Sequence, residues 1–228
     1  MDIEKLVREY APILHFHPEE GRHCCFPSDA ERVFETFHKD WTLFREDKTP
    51  KSLDQSAPCY YETWVDGDLT QIRYWFWYNY NDFPGTRFGI GKHLGDWEHV
   101  ELRLFSDRRS VWLLSNHEST RVATGHGGIT HYYSEQPILE RNHIHVWVAL
   151  GSHAIYPSAA SSPRCYARIF CDKIAEDGSI WHTEQCLKPL SETNFREFKG
   201  RWGDKKAPRS PLNECNNRWR NAPDIRLD

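Results

Sequence analysis

No apolar run in this 228-residue chain approaches the ~20 residues that a membrane-spanning helix needs, so helical membrane crossing is excluded. An excess of positive charge is also missing. With 29 Lys+Arg against 33 Asp+Glu, the chain lacks the basic balance of a dedicated nucleic-acid binder. Seven cysteines are present, at 24, 25, 59, 165, 171, 186 and 215, but none are spaced C-x-x-C, which removes zinc-knuckle and dithiol redox motifs. Reduced, scattered thiols are the expectation, with Cys165 and Cys171 able to pair across a hairpin in an exported protein. There is no P-loop, dinucleotide fingerprint, His-Glu-x-x-His or Gly-x-Ser-x-Gly elbow. The start, Met1-Asp2-Ile3-Glu4-Lys5-Leu6, shows neither the basic nor the apolar region of a secretory signal. The expected location is the cytoplasm, with secretion left open.

Aromatic residues, by contrast, are plentiful. They make up 14% of the chain and include 10 Trp, which disordered chains lack. Each large ring can bury about 150–250 Å², so a core of few, large residues is feasible. Residues 72–80 are aromatic almost throughout, as expected of a strand covered on both faces. From Asp96 to Phe105 the chain alternates, with Glu98, Val100, Leu102 and Leu104 on one side and His99, Glu101 and Arg103 on the other. Residues 111–115, 121–124, 144–150 and 166–171 add further strands. No long amphipathic helices alternate with them, so a parallel α/β sheet is disfavoured. Helices are expected to be few and short, mostly near residues 2–9 and 28–38, the second opened by a capping box of Ser28 and Glu31. The expected fold is a mostly β, antiparallel β-sandwich in one domain over residues 1–228. Its C-terminal segment, about 198–228, packs on the sandwich through Trp202 and Trp219.

The sharpest local pattern is Lys92-His93-Leu94-Gly95-Asp96-Trp97-Glu98-His99. Strand alternation puts the Asp96 and Glu98 carboxylates on one face, about 7 Å apart at the backbone. Gly95 permits a sharp entry to the strand, which would swing His93 to the same side. Two carboxylates and an imidazole suit Mg²⁺, Mn²⁺ or Zn²⁺ better than a thiolate-loving ion. A hydrogen-bonded strand end with Asp96 as a turn cap is the competing reading. Gly125-His126-Gly127-Gly128 reads as a ligand-approaching backbone or a plain hairpin. In Gly151-Ser152-His153-Ala154, small neighbours leave space beside His153 where a strand leaves the core. Ser152 and His153 are adjacent and point to opposite faces, so they do not make a nucleophile–base pair. The pairs His15/His17 and His143/His145 each share a strand face, as ligands or as ordinary surface residues.

Several of these stretches, in order along nearly the whole chain, resemble the vacuolar-protein-sorting-associated protein 62 family. They include Tyr10-Ala11-Pro12-Ile13-Leu14-His15-Phe16, Tyr74-Trp75-Phe76-Trp77-Tyr78-Asn79-Tyr80-Asn81, His93-Leu94-Gly95-Asp96-Trp97-Glu98-His99, Ala149-Leu150-Gly151-Ser152-His153 and Gly200-Arg201-Trp202-Gly203. The strand carrying Asp96 also resembles the core motif Gly-His-Arg-His-Asp-Trp-Glu of the necrosis- and ethylene-inducing toxin-like proteins, which are secreted, cation-holding β-sandwiches that bind sphingolipid head groups. The match falls on His93, Asp96, Trp97 and Glu98, with Gly95 in place of the second histidine. That resemblance implies a divalent metal ion (Mg, Ca, Mn or Zn) on His93, Asp96 and Glu98, with an upstream ligand near Asp82.

The expected function is therefore a cation-containing β-sandwich that binds a small polar ligand, a glycan or lipid head group, without nucleic acid. A metal-dependent hydrolase or lyase, with His153 or His126 moving protons, is the alternative from the same residues. A protein-interaction role in vacuolar sorting is what the family name alone suggests. A shallow aromatic groove favours the binder, whereas open ion positions ringed by histidines favour the enzyme.

Overall fold

The structure, a computed structural model, describes residues 2–86, 89–106, 109–115, 120–125, 137–166 and 169–212. Two sheets dominate. A six-stranded sheet runs in the order β13 (Leu187–Pro189), β2 (Cys59–Asp66), β3 (Leu69–Asp82), β4 (Lys92–Phe105), β5 (Arg109–Leu114) and β6 (Thr120–Gly125). A five-stranded sheet runs β12 (Ile180–His182), β1 (Ile13–Phe16), β8 (His143–Val148) and β7 (Ile138–Glu140), with β9 (Ile155–Tyr156) also on β8. The mostly β reading of the sequence is what the chain adopts.

The sheets are mixed, however, not wholly antiparallel. β1 pairs parallel with β8, and β13 parallel with β2. A parallel neighbour needs a long connection, and more than a hundred residues separate the partners in both cases. Nothing in the local pattern of a strand reports a partner that distant. Residues 166–171, read as one strand, instead form a small hairpin of β10 (Cys165–Tyr166) and β11 (Phe170–Cys171). A Cys165–Cys171 disulfide closes it, so these two thiols are not free as first expected.

β3 is covered on both faces because its two sets of side chains feed two cores. Tyr74, Phe76 and Tyr78 face the inter-sheet core with Val100 and Leu102 of β4, meeting Leu14, Phe16, Val146 and Val148 of the other sheet. Trp75, Trp77 and Trp97 enter a second core on the outer face. There they meet α3 (Ala30–Phe37) and the segment holding Phe195 and Trp202. Trp202 is fully buried, 4.8 Å from Trp77, 5.3 Å from Trp97 and 5.0 Å from Phe195 between ring centroids. Trp219, the other expected anchor, lies outside the described residues.

The helices fall near their expected places. α1 spans Ile3–Glu9, and α3 begins one residue later than the capping box implied. Asp29, not Ser28, caps it, accepting hydrogen bonds from the amides of Glu31 and Arg32. Ser28 instead donates to Asn79, and Glu31 is drawn away to Lys188 and the Asn194 amide. A four-residue helix, α2 (Glu20–His23), was not foreseen.

Candidate functional site

Four segments meet at one end of the sandwich: α2 with Cys24 and Cys25, the end of β3, the start of β4 and the turn between β8 and β9. Alternation places Asp96 and Glu98 on the core face of β4, opposite Tyr78 and Phe76. Both carboxylates are sealed, at 5% and 3% exposure. Gly95, just before them, has φ +61°, and a Cβ there would press into the Trp77 ring, with Cζ3 only 3.0 Å away. A glycine is therefore required twice over, by its backbone and by its neighbour.

His153 is the centre of the arrangement. It is wholly buried and holds φ +54°, a conformation that a non-glycine residue adopts only when its surroundings impose it. Gly151, two residues earlier, has φ +62° and is tied at both ends. Its amide donates to Glu20 Oε2 at 3.0 Å, and its carbonyl accepts from the Asp82 amide at 2.7 Å. That anchoring swings the His153 ring into the cluster. Tyr78 stacks flat on it, centroids 3.7 Å apart at 5°. His153 Nδ1 lies 3.0 Å from Asp96 Oδ2, and its Nε2 faces Glu20 Oε1 at 3.6 Å, beyond hydrogen-bond range. Nε2 has no hydrogen-bond partner. Cys24 Sγ, Cys25 Sγ and a His153 ring nitrogen all lie within 4.8 Å of one another.

The electrostatics follow from burial and crowding. Burial, then the Asp96 charge, pushes the Glu98 carboxyl well above its ordinary range, although Ser115 donates to it. Burial alone would lower the His153 pKa, but the hydrogen bond to Asp96, with Cys24 and the Glu20 carboxylate close by, outweighs it and raises the value well above normal. The Cys24 thiol is raised by its contact with Cys25 and then by burial. Ser152 turns away, its Oγ donating to Asp172 at 2.5 Å, as adjacent residues on opposite faces should.

The residues expected to share a cation are not all brought together. Asp96 and Glu98 are neighbours, but they face His153 instead of His93. His93 Nδ1 meets the Gly95 carbonyl at 2.7 Å, and its ring lines an open pocket. Asp82 is spent on two ammonium groups, Lys48 at 2.5 Å and Lys92 at 2.6 Å. A hard cation held by His93, Asp82, Asp96 and Glu98 does not fit this arrangement, because lysines already neutralise one carboxylate and a backbone carbonyl holds the imidazole. His126 lies outside the described residues. Trp75 and Trp77 are core residues at 2% and 0% exposure, closed to any ligand.

Sequence reasoning missed Glu20, Cys24 and Cys25 as members of the site. The one available signal was that Glu20 and Cys24 stand four apart around a helical turn. It also treated His15 and His145 within separate i, i+2 pairs, whereas the parallel β1–β8 pairing brings them together. His15 Nε2 lies 2.8 Å from His145 Nδ1, and His15 stacks on Trp147.

A second feature lies beside the buried cluster. An open pocket of about 640 Å³ is lined by Trp41, Phe44 and Tyr80 together with Arg45, Lys92 and His93, among others. Lys48 sits 5.6 Å above the Tyr80 ring.

The chain is similar in structure to necrosis- and ethylene-inducing proteins. The non-toxic protein HaNLP3 aligns with a TM-score of 0.47 and 13% identity over 83% of this chain and 75% of that one. Necrosis and ethylene inducing protein 2, from the causal agent of cocoa's witches' broom disease, gives 0.47 and 14% over 84% and 74%. NLPPya in complex with mannosamine gives 0.47 and 12% over 83% and 73%. Likeness at this level carries neither a family nor an activity over to this chain. No family model matches it and no curated protein does, so the vacuolar-sorting resemblance rests on the motifs alone.

Proposed function

We propose that this β-sandwich binds a small polyhydroxylated ligand, a sugar or the sugar of a lipid head group, in the open pocket beside β3 and β4. The observation that supports it is the meeting, in one pocket, of the Trp41 ring, over a floor of buried Phe44 and Tyr80, with charged groups of both signs, Arg45, Lys92 and Lys206 against Glu46 and Asp204, beside His93. The half-buried Trp41 ring can cover the apolar C–H face of a sugar, and a few placed polar groups fix its orientation. Asp82 orients the Lys92 ammonium through its 2.6 Å ion pair. The enzyme reading calls on His153 or His126 to move protons; His126 lies outside the described residues, and the His153 imidazole is wholly buried beneath Tyr78. Among the described residues, the open pocket therefore favours binding over catalysis by His153.

Calorimetric titration with glucosamine and mannosamine, and co-sedimentation with vesicles bearing glycosylated head groups, tests the proposal. Saturable binding of free sugar, weakened at least about tenfold (~1.4 kcal/mol) by Lys92→Gln or His93→Ala, supports the pocket. Binding to glycosylated vesicles alone assigns the head group as ligand. Absence of binding to every probe, or binding indifferent to both substitutions, overturns it.

A further inference from the structure

We infer that Cys24, Cys25, His153 and Glu20 form a closed zinc site, with Asp96 as the residue that orients the histidine.

The argument begins with His153 Nε2, a fully buried ring nitrogen without a hydrogen-bond partner. Buried polar atoms are nearly always satisfied, and one that is not calls for an unseen partner. Asp96 Oδ2 at 3.0 Å accepts from Nδ1–H, so Nε2 is the nitrogen whose lone pair a cation would take, displacing the proton there. A carboxylate behind a histidine is the usual way to fix the tautomer of a metal ligand and raise its basicity. The Nε2 lone pair is directed at donors that suit a borderline-soft cation. Both cysteine Sγ atoms lie within 4.8 Å of a His153 ring nitrogen, and Glu20 Oε1 is 3.6 Å from Nε2. Zn–S bonds of ~2.3 Å and Zn–N or Zn–O bonds of ~2.0–2.2 Å make tetrahedral edges of about 3.3–3.8 Å. The Cys24 and Cys25 Sγ atoms stand 3.1 Å apart, slightly inside that range, so they need to part a little, while His153 Nε2 and Glu20 Oε1 at 3.6 Å already match it.

All four donor residues are 0% exposed, so no coordination position opens to solvent. That is the character of a structural zinc centre. Two thiolates and a carboxylate also explain the choice of ion: hard cations prefer all-oxygen shells. The site ties α2 and the two cysteines after it to the β8–β9 turn, and through Asp96 to β4. Metal binding there is linked to folding, because the unfolded chain has no preformed site. The inference does not depend on the polar-ligand reading, since no donor lines that pocket.

The test is metal analysis of the reduced full-length protein, followed by cobalt substitution after chelation under partly denaturing conditions. The expected result is one zinc per chain, and one cobalt showing thiolate-to-metal charge transfer with the intense visible bands of a tetrahedral ion. Cys24→Ser and Cys25→Ser should each remove the charge-transfer intensity in part, and together abolish it. Asp96→Asn should keep the ligands but weaken zinc affinity about 10–100-fold. His93→Ala and Asp82→Asn should leave stoichiometry and spectrum unchanged. Where a cysteine variant fails to fold, the spectrum of the parent protein still decides. Absence of thiolate charge transfer in folded, reduced parent overturns the site. So does a cobalt spectrum that survives loss of both cysteines, or a Cys24–Cys25 disulfide that persists in reductant.

Discussion

Gly95→Ala offers a measurable check on how the site is positioned, because its cost divides into two parts. The first is backbone: φ +61° is open to glycine, and an L residue there costs about 1–2 kcal/mol. The second is steric: the new methyl enters the Trp77 ring, whose Cζ2 and Cζ3 stand at 3.1 and 3.0 Å from the Cβ position. Trp77 cannot retreat, because Trp97 and Trp202 pack against it in a filled core. Overpacking of that kind costs about 1–3 kcal/mol. The sum is about 2–5 kcal/mol, a large share of a domain's ordinary ~5–15. Gly67→Ala is the control. It has nearly the same backbone angle, φ +59°, in the turn between β2 and β3, but nothing within 4 Å of its Cβ position. It should lose only the first part. Urea denaturation followed by tryptophan fluorescence and by circular dichroism measures both. At ~2–4 °C per kcal/mol, the two proteins should also differ in melting temperature by roughly 2–12 °C. Equal losses for the two glycines would refute the claim that Trp77 dictates the residue at 95.

Three further expectations stand beside this one and the two binding tests above. His15 has its pKa lowered to about 4, mainly by burial and then by His145 and His182. The unfolded chain therefore takes up a proton near pH 6.5 that the folded one refuses, and stability should fall as pH drops from about 6.5 to 4. His15→Gln should flatten the urea midpoint against pH across that window, and an unchanged slope would count against the assignment. Trp202→Ala should cost about 3–5 kcal/mol, since a fully buried indole is removed from among Trp77, Trp97 and Phe195. A loss below ~1 kcal/mol in chemical denaturation would show that the 198–212 segment contributes little to the outer core. Chelation of the reduced protein should lower its melting temperature if zinc is bound at Cys24 and Cys25, and the drop should vanish in the double serine variant.

Much of the fold could be read because burial on two faces leaves a mark in composition. Residues 72–80 carry rings at nearly every position, and in the structure those rings divide between two cores. The alternation of 96–105 likewise survives as register, with Tyr78 opposite Asp96 and Tyr74 opposite Val100. What could not be read was the pairing of strands far apart in the chain. β1 lies beside β8 because their apolar faces close one core, and only the whole assembly selects that neighbour. The same limit hid the cap of α3. Ser28 and Asp29 are both good caps, and tertiary contacts with Asn79 and Lys188 decided between them.

The site divides along the same line, and Asp96 shows why. Its local pattern established that it shares the core face of β4 with Glu98, which the structure bears out, but a face says nothing of what stands across from it. Two sealed carboxylates need compensation. Reasoning within the segment supplied the nearest imidazole in sequence, His93. The fold supplies His153 instead, held by a backbone angle that Gly151 and Glu20 make possible. His93 is then released to the pocket, and Asp82 to its lysines. The consequence is a change in the role of Asp96, from a direct cation ligand to the group that sets which nitrogen of His153 is free. Because Asn81 also donates to Asp96 at 3.1 Å, Asp96→Asn keeps the size of the side chain while surrendering the charge that holds the Nδ1 proton. Loss of affinity with the spectrum intact identifies an orienting residue; loss of the metal altogether, with the fold retained, returns Asp96 to the coordination shell.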